Sequence, residues 1–208
     1  IPLMLNEALW ATGMALLAQC YSLRGYDVVT ACNIASTISN VFNVAFLALG
    51  NAVGIIVGQL LGANRMDEAV DTDRKLIVFS VAVCFVVGGV MALVAPLFPQ
   101  IYNTTDHVRS LAETFIIMCA LCMPINALAN ACYFTLRSGG KTIITFFFDS
   151  FYVCVFTAPV AFILANFTAL PIEGLYLFCQ LADIGKCVVG LIFIKKGIWI
   201  QNIVQREL

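Results

Sequence analysis

Two long stretches without a charged side chain constrain this fold most strongly. Residues 28–64 and 76–105 contain no Asp, Glu, Lys or Arg. A helix that crosses the ~30 Å hydrocarbon core of a bilayer needs about 20 mostly apolar residues, and both stretches are long enough. Only 11% of the chain is charged, whereas a soluble domain carries about 25%. The sequence therefore predicts an integral membrane protein.

The apolar runs, and the Gly, Pro and charged residues between them, predict six membrane-spanning helices. Only helices and closed barrels satisfy every backbone hydrogen bond in lipid, and the alternating ten-residue segments of barrel strands are missing from the sequence. The predicted fold class is therefore all-α, a polytopic membrane protein. The charged stretch 64–75 is assigned to the loop after the second span. The predicted spans are residues 2–23, 28–62, 76–98, 108–136, 143–166 and 172–194.

The basic residues predict the orientation of the spans. Six spans place both chain ends on one side, and eight of the eleven Lys and Arg residues fall on that side. Only Arg24 and Arg109 fall on the other side, and Lys186 lies within a span. The positive-inside rule then predicts that both ends are cytoplasmic, in a bacterial-type plasma membrane. The eight residues are Arg65, Arg74, Lys75, Arg137, Lys141, Lys195, Lys196 and Arg206.

Several site classes have little support in the sequence. The nine cysteines lie in apolar runs, so we expect free thiols that pack as small apolar side chains. Cys119 and Cys122 have a metal-like spacing but no second pair, and His107 is the one histidine. We therefore predict no metal site, no resident cofactor and no enzyme activity. A net charge of −1 without a basic stripe predicts no nucleic-acid binding.

Polar side chains recur on one face of two predicted spans. The second span places Asn33, Thr37 and Asn40 at helical spacing, and the fourth places Asn126, Asn130 and Tyr133 close to one face. Polar groups are expensive in lipid, so we predict that these six residues line a wet cavity. The alternative is that they form hydrogen bonds between helices, which use the same residue types.

Four ionisable residues in the spans are further candidates. Glu7 lies within the first helix, where a carboxylate must be protonated, paired or hydrated, so we predict a proton or cation site. The alternative is an interfacial carboxylate at the cytoplasmic end of the helix. Asp183 and Lys186 are three residues apart and can pair; a structural role and a transport role both remain open. Asp149 is expected to bond the cytoplasmic turn that contains Arg137.

Four glycines repeat every fourth residue in the second span. Small residues at this spacing let helices approach closely, so the repeat is interpreted as a packing surface and not as a phosphate-binding loop. The four are Gly50, Gly54, Gly58 and Gly62.

The segment Val53–Arg65, VGIIVGQLLGANR, followed by Ala69, resembles a signature of the multidrug and toxic compound extrusion (MATE) family of transporters. That signature occurs in both lobes of the family's members. Other segments resemble the C-terminal lobe, helices seven to twelve. These segments are Pro2–Gly13 for the seventh helix, Leu136–Thr142 for the turn after the tenth, Asp149 with Pro159 for the eleventh, and Trp199–Val204 for the tail.

The resemblance implies one lobe of a twelve-helix antiporter, with residues 1–208 as the C-terminal six-helix lobe. It also implies an N-terminal lobe of the same polypeptide as partner. Such transporters export organic cations and other amphipathic compounds against an inward flow of Na⁺ or H⁺. Glu7 matches the seventh-helix carboxylate implicated in cation coupling. Asn126 stands where some members have an acidic residue in the tenth helix, so either ion stays open.

Three other functions are alternatives to a cation-coupled antiporter. A lipid-linked oligosaccharide flippase of the same superfamily is expected to have a more basic cavity, and only Lys186 is available here. A membrane-embedded enzyme would need clustered acidic or histidine residues at one interface, which the sequence lacks. A membrane subunit that does not transport would be favoured by the absence of a second lobe from the parent gene.

Overall fold

The computed structural model of the chain describes residues 2–168 and 170–200. Every regular element in these residues is a helix, as the sequence predicts. The last two residues of the described range belong to the tail that begins at Trp199; the rest of that tail and Arg206 lie outside it. The long helices are α1 (Pro2–Ser22), α2 (Tyr26–Gly62), α3 (Met66–Val94), α4 (Asp106–Ser138), α5 (Ile143–Phe167) and α6 (Ile172–Lys195), with a short 3₁₀ helix at Phe98–Ile101.

Five of these helices, α2 to α6, are long and apolar enough to cross a membrane. Helix α1 is one of the predicted spans and has 21 residues, yet it does not reach the same apolarity. Its sequence explains this, because Asn6, Glu7 and Gln19 interrupt the apolar residues. Polar residues within a helix that packs among membrane spans are expensive unless the bundle uses them.

Helix α4 is the central helix of the bundle and packs against α2, α3, α5 and α6. Its three long neighbours α2, α3 and α6 each present a glycine to it. A Cβ added at Gly50 of α2 would lie 2.7 Å from the ring of Phe134, and one added at Gly190 of α6 would lie 2.8 Å from Cβ of Cys132. These glycines let the side chains of α4 pack closely against the neighbouring helices, and close packing is one of the forces that hold helices together in lipid.

The predicted glycine repeat of α2 is only partly a packing surface for α4. Gly50 and Gly54 both lie against Phe134, and Gly58 lies near Ser138 of the same helix. Gly62 has no neighbour within 4 Å among the described residues. The order of these contacts also shows that α2 and α4 run in parallel.

The spans alternate in direction, as six consecutive crossings require. Helices α1 and α5 run in parallel, because Asn6 contacts Ser150 near one end and Arg24 donates to the carbonyl of Thr168 near the other, at 2.8 Å. At the opposite end from Thr168, the tail residue Trp199 is buried among residues of α2, α3 and α4. The connections predicted to share one side therefore do meet at one end of the bundle.

The start of α3 corrects the sequence prediction. Asn64 adopts a φ of 59°, a left-handed conformation that Asn tolerates, and this turns the chain sharply after α2. Helix α3 then begins at Met66, so the stretch 64–75, assigned to a loop, is mostly helical. Its charges pair along the exposed side, with Nζ of Lys75 2.6 Å from Oδ2 of Asp71. Such pairs at helical spacing support a helix that is too polar for lipid.

Helix α5 has an irregularity that the sequence did not predict. Two of its segments, Phe147–Phe151 and Val153–Thr157, are π-helical. The wider π turn is rare and frequently occurs at functional sites. Asp149 lies in the first of these segments. The nine cysteines, by contrast, follow the prediction, since all of them are free.

The contact between α3 and α4 provides a matched test of close packing. A Cβ at Gly88 would lie 2.5 Å from the carbonyl oxygen of Ala120, whereas one at Gly89 would meet nothing within 4 Å. Alanine raises helix propensity equally at the two positions, so the steric term alone separates them. We expect Gly88→Ala to be less stable than Gly89→Ala by about 1–3 kcal/mol. Thermal unfolding of the intact protein in detergent measures this difference, and equal melting temperatures would contradict the packing described here.

Candidate functional site

Glu7 and its neighbour Asn6 point to different sides of α1. Asn6 is buried, and the Ser150 hydroxyl of α5 lies 2.7 Å from both its backbone and its side-chain oxygen. Glu7 is exposed, and in the described part of the chain it has no ion-pair or hydrogen-bond partner. The contact of Asn6 with Ser150 places Glu7 at the level of Asp149, several residues inside α5. Glu7 therefore lies along the side of the bundle and not at its extreme end.

Lys186 of α6 is buried between two carboxylates. Its side chain is 8% exposed, and its Nζ lies 3.3 Å from Oδ1 of Asp149 and 3.3 Å from Oδ1 of Asp183. The ammonium also lies 5.9 Å from the ring centre of Tyr152. Helix α6 is interrupted at Ala182, whose carbonyl accepts a hydrogen bond from the Tyr152 hydroxyl at 3.0 Å. The predicted pair of Asp183 and Lys186 is therefore present, and Asp149 is a third member of this charge group.

Asp149 differs from its predicted position in the site. The sequence predicts that Asp149 contacts the turn that contains Arg137, but its carboxylate contacts Lys186 instead. Arg137 lies over aromatic rings of its own helix, with its guanidinium carbon 6.0 Å from the ring centre of Tyr133. Spacing along one helix cannot reveal a partner on another helix, which is why the Asp149 contact was missed.

Tyr133 of α4 links Glu7 to this group of charges. Its hydroxyl is close enough to both Glu7 and Asp149 to interact with them electrostatically, and Arg137 acts on it from the same helix. This influence acts at longer range, since no hydrogen bond joins Tyr133 to either carboxylate in the described residues.

The polar stripe of α2 lies on an exposed face. Asn33, Thr37 and Asn40 are all exposed. The Thr37 hydroxyl donates to the carbonyl of Asn33 at 2.8 Å, a bond within its own helix. None of the three forms a hydrogen bond to another helix in the described residues, so the interhelical alternative finds no support within this lobe.

The two amides of α4 are in a different environment. Asn126 and Asn130 are partly buried, and their side-chain oxygens are buried without a hydrogen-bond partner among the described residues. Asn130 lies at the contact with α2, because a Cβ at Gly50 would fall 2.0 Å from its Oδ1. The structure therefore does not bring the α4 amides onto the same exposed face as the α2 stripe.

Cys119 lies in a small polar cluster between α4 and α6. Its Sγ is 2.9 Å from the hydroxyl of Tyr176 and accepts a hydrogen bond from Nε2 of Gln180 at 2.9 Å. The Tyr176 ring also stacks on Phe115, with ring centres 4.3 Å apart. Among the described residues, no group of His, Cys, Asp and Glu could hold a metal ion. Cys119 therefore contributes a polar contact between helices.

Asp73 is a candidate that the sequence analysis missed. It is fully buried, and its Oδ1 lies 2.6 Å from Oγ1 of Thr135 on α4. Its position in a charged stretch suggested a loop. The available signal was the helical spacing of Ala69, Asp73 and Ile77, all of which are buried, since one face of a helix repeats at that spacing.

Comparisons with known proteins agree on the family. The MatE family model matches residues 2–163. The Probable multidrug resistance protein YoeA of Bacillus subtilis (strain 168) is 20% identical over 180 residues, which are 85% of this chain and 38% of that protein. The chain thus spans well under half of this curated relative.

Two solved structures share the fold. A crystal structure of MATE in complex with MaL6 superposes with a TM-score of 0.85 at 14% identity, over 95% of this chain and 45% of that one. An outward-facing conformation of a multidrug resistance MATE family transporter of the MOP superfamily gives a TM-score of 0.85 at 15% identity, over 95% of this chain and 44% of that one.

These comparisons confirm two of the sequence predictions. The fold is all-α with helices suited to a membrane, and its structural neighbours are MATE transporters. The family match covers α1 to α4 and most of α5. The chain is therefore a multi-pass membrane protein that belongs to the MatE family.

Proposed function

We propose that the chain is the C-terminal lobe of a cation-coupled antiporter that exports amphipathic or cationic small molecules by alternating access. The N-terminal lobe of the same polypeptide would close the other side of the cavity. The observation that supports this most is the state of Glu7, an exposed carboxylate without a fixed partner on a helix that packs within the bundle.

The contrast between Glu7 and the acidic residues near Lys186 supports its role. Asp149 and Asp183 share the Lys186 ammonium, which is fixed within the protein. Among the described residues, Glu7 has no such fixed cation, yet a bare carboxylate is unfavourable at membrane depth. A mobile cation is therefore the natural partner of Glu7. That cation is a proton, a sodium ion or the cationic substrate, each of which would exclude the others.

Competition for Glu7 would couple the two flows. A ligand shifts a two-state equilibrium only through its different affinities for the two states. On our proposal, the ionised carboxylate attracts a cationic substrate from one side, and the coupling ion displaces it on the other. The exposed Asn33, Thr37 and Asn40 of α2 would form a polar wall of the cavity between the lobes. Their lack of interhelical bonds within this lobe supports that assignment.

The state of Lys186 weighs against a lipid-linked oligosaccharide as substrate. Such a substrate carries phosphate, which requires a cationic partner. The Lys186 ammonium already lies between two carboxylates. Export of a cation fits this charge balance better than translocation of an anion.

The distribution of basic residues supports a plasma-membrane orientation with both ends of the lobe in the cytoplasm. The connections that contain most of the basic residues meet at the end of the bundle where Trp199 is buried. The positive-inside rule assigns that end to the cytoplasm.

Replacing Glu7 tests the proposed coupling. In the intact protein, Glu7→Gln keeps the shape of the side chain but removes its charge, so we expect efflux of ethidium from energised vesicles to fall to background. Glu173→Gln, at the start of α6, is the control and should transport normally. Measuring efflux under imposed proton and sodium gradients identifies the coupling ion. Unchanged efflux with unchanged ion dependence would rule out this role of Glu7.

Replacing Lys186 tests whether the three charges form a structural unit. Lys186→Met leaves Asp149 and Asp183 without their cation, and breaking a buried ion pair in this way destabilises a protein by about 3–5 kcal/mol. The triple variant with Asp149→Asn and Asp183→Asn removes all three charges and should recover most of the melting temperature. Efflux by the triple variant then separates the two open roles. A triple variant that is stable and active has lost a structural unit only, whereas one that is stable and inactive assigns the charges to transport.

A further inference from the structure

Asp73 forms an unusual hydrogen-bond arrangement with α4. Its Oδ1 lies 2.6 Å from Oγ1 of Thr135, and the same Oγ1 lies 3.0 Å from the carbonyl oxygen of Ala131. The other carboxyl oxygen, Oδ2, is buried and has no hydrogen-bond partner in the described residues. Asp73 itself is 0% exposed. Two acceptors therefore compete for the hydroxyl of Thr135.

The number of hydrogen atoms decides between two interpretations. A threonine hydroxyl has one hydrogen to donate. If Asp73 were ionised, that hydrogen could serve the carboxylate or Ala131, and the other oxygen–oxygen contact would lack a hydrogen. If Asp73 carries a proton on Oδ1, it donates to Thr135, and Thr135 donates to Ala131. Both distances then correspond to ordinary hydrogen bonds.

Burial favours the neutral form of Asp73, and the one nearby cation that opposes it, Arg74, is exposed to solvent. Lys75 points to the exposed side of α3 and pairs with Asp71 there. The charged and titratable groups that act on Asp73 are Arg74 of its own helix, which is exposed, and the Cys132 thiol of α4. No cation forms an ion pair with Asp73 in the described residues. An ionised carboxylate buried without a partner is strongly unfavourable.

We propose that Asp73 is a proton-binding site that joins α3 to α4 at the end of the bundle where Trp199 is buried. The bound proton completes the hydrogen-bond chain from Asp73 through Thr135 to Ala131. Loss of the proton would leave a bare carboxylate inside the contact, which favours opening of that contact to water. The proton thus acts as a ligand of the closed arrangement of the two helices.

The pH dependence follows from this linkage. The closed arrangement binds one proton at Asp73, whereas the open or unfolded chain exposes an ordinary aspartate that is ionised at neutral pH. Stability falls with rising pH wherever the folded state holds more protons. We therefore expect the closed contact to weaken as the pH rises through the titration of Asp73, by up to tenfold in the equilibrium for each pH unit.

Infrared difference spectroscopy of the intact protein in lipid nanodiscs tests the proposal directly. A protonated carboxyl group has a carbonyl stretch that a carboxylate lacks. At mildly acidic pH we expect a band of this kind that disappears in Asp73→Asn and persists in Asp71→Asn, an exposed aspartate on the same helix. It should also persist in Glu7→Gln, which separates it from any proton on Glu7. Identical spectra for the wild-type protein and Asp73→Asn would overturn the proposal.

Thermal unfolding as a function of pH gives an independent measurement. The melting temperature of the wild-type protein should fall over the pH range in which the band disappears. The Asp73→Asn side chain can donate to Thr135 without a proton, so its melting temperature should lose this pH dependence. If Asp73→Asn does not fold, Thr135→Val replaces it: the loss of the acceptor should shift the carbonyl band, and an unshifted band would overturn the proposal.

Neither measurement depends on transport. A band at Asp73 in a protein that fails to export ethidium would count against the proposed function alone. Normal export without such a band would count against the proton site alone. A role of this proton in the transport cycle rests on the proposed function, and Asp73→Asn tests it through the pH dependence of efflux.

Discussion

The whole bundle depends on how closely its helices approach α4. In lipid, apolar side chains gain little by leaving the surroundings for a helix contact, so association depends on close packing and on polar contacts. Gly50, Gly88 and Gly190 come from three different helices, and all three lie directly against α4. Gly88 meets the backbone of α4, whereas Gly50 and Gly190 leave room for α4 side chains, so polar groups such as Asn130 and Thr135 come within reach of neighbouring helices. The position of α4 thus determines which polar contacts can form.

The carboxylates of the bundle lie in three different environments. Asp149 and Asp183 share a buried lysine, an arrangement that fixes their charge in place. Glu7 is exposed and unpaired, which leaves it available to a mobile cation. Asp73 is fully buried without a cation partner among the described residues, and a proton on it would give each of the two contacts of the Thr135 hydroxyl its own hydrogen. The bundle therefore contains one group of paired charges, one exposed carboxylate and one fully buried carboxylate.

The sequence predicted the features that depend on a single helix and missed those that depend on two. Hydropathy and the positions of the basic residues predict the six helical segments, because length and charge are local properties. The start of α3 was misplaced because charged residues suggest a loop even where ion pairs such as Lys75 with Asp71 support a helix. The contact of Asp149 with Lys186, and the burial of Asn130 beside Gly50, depend on the rotation of one helix against another. The periodicity of residues along one helix gives no information about how that helix is rotated against its neighbour.

Glu7 and Asp73 both act on the same helix, and this has a consequence for mechanism. Glu7 has a long-range electrostatic influence on Tyr133, and Asp73 contacts Thr135, two residues further along α4. Successive residues of a helix point in different directions, so α1 and α3 influence α4 from different sides. Two sites are coupled when both bias one element that has two arrangements. On the proposed function, a shift of α4 that closes its contact with α3 also changes the surroundings of Tyr133, and through it those of Glu7. Proton binding at Asp73 would then alter the affinity of Glu7 for its cation, and cation binding at Glu7 would alter the affinity of Asp73 for its proton by the same factor.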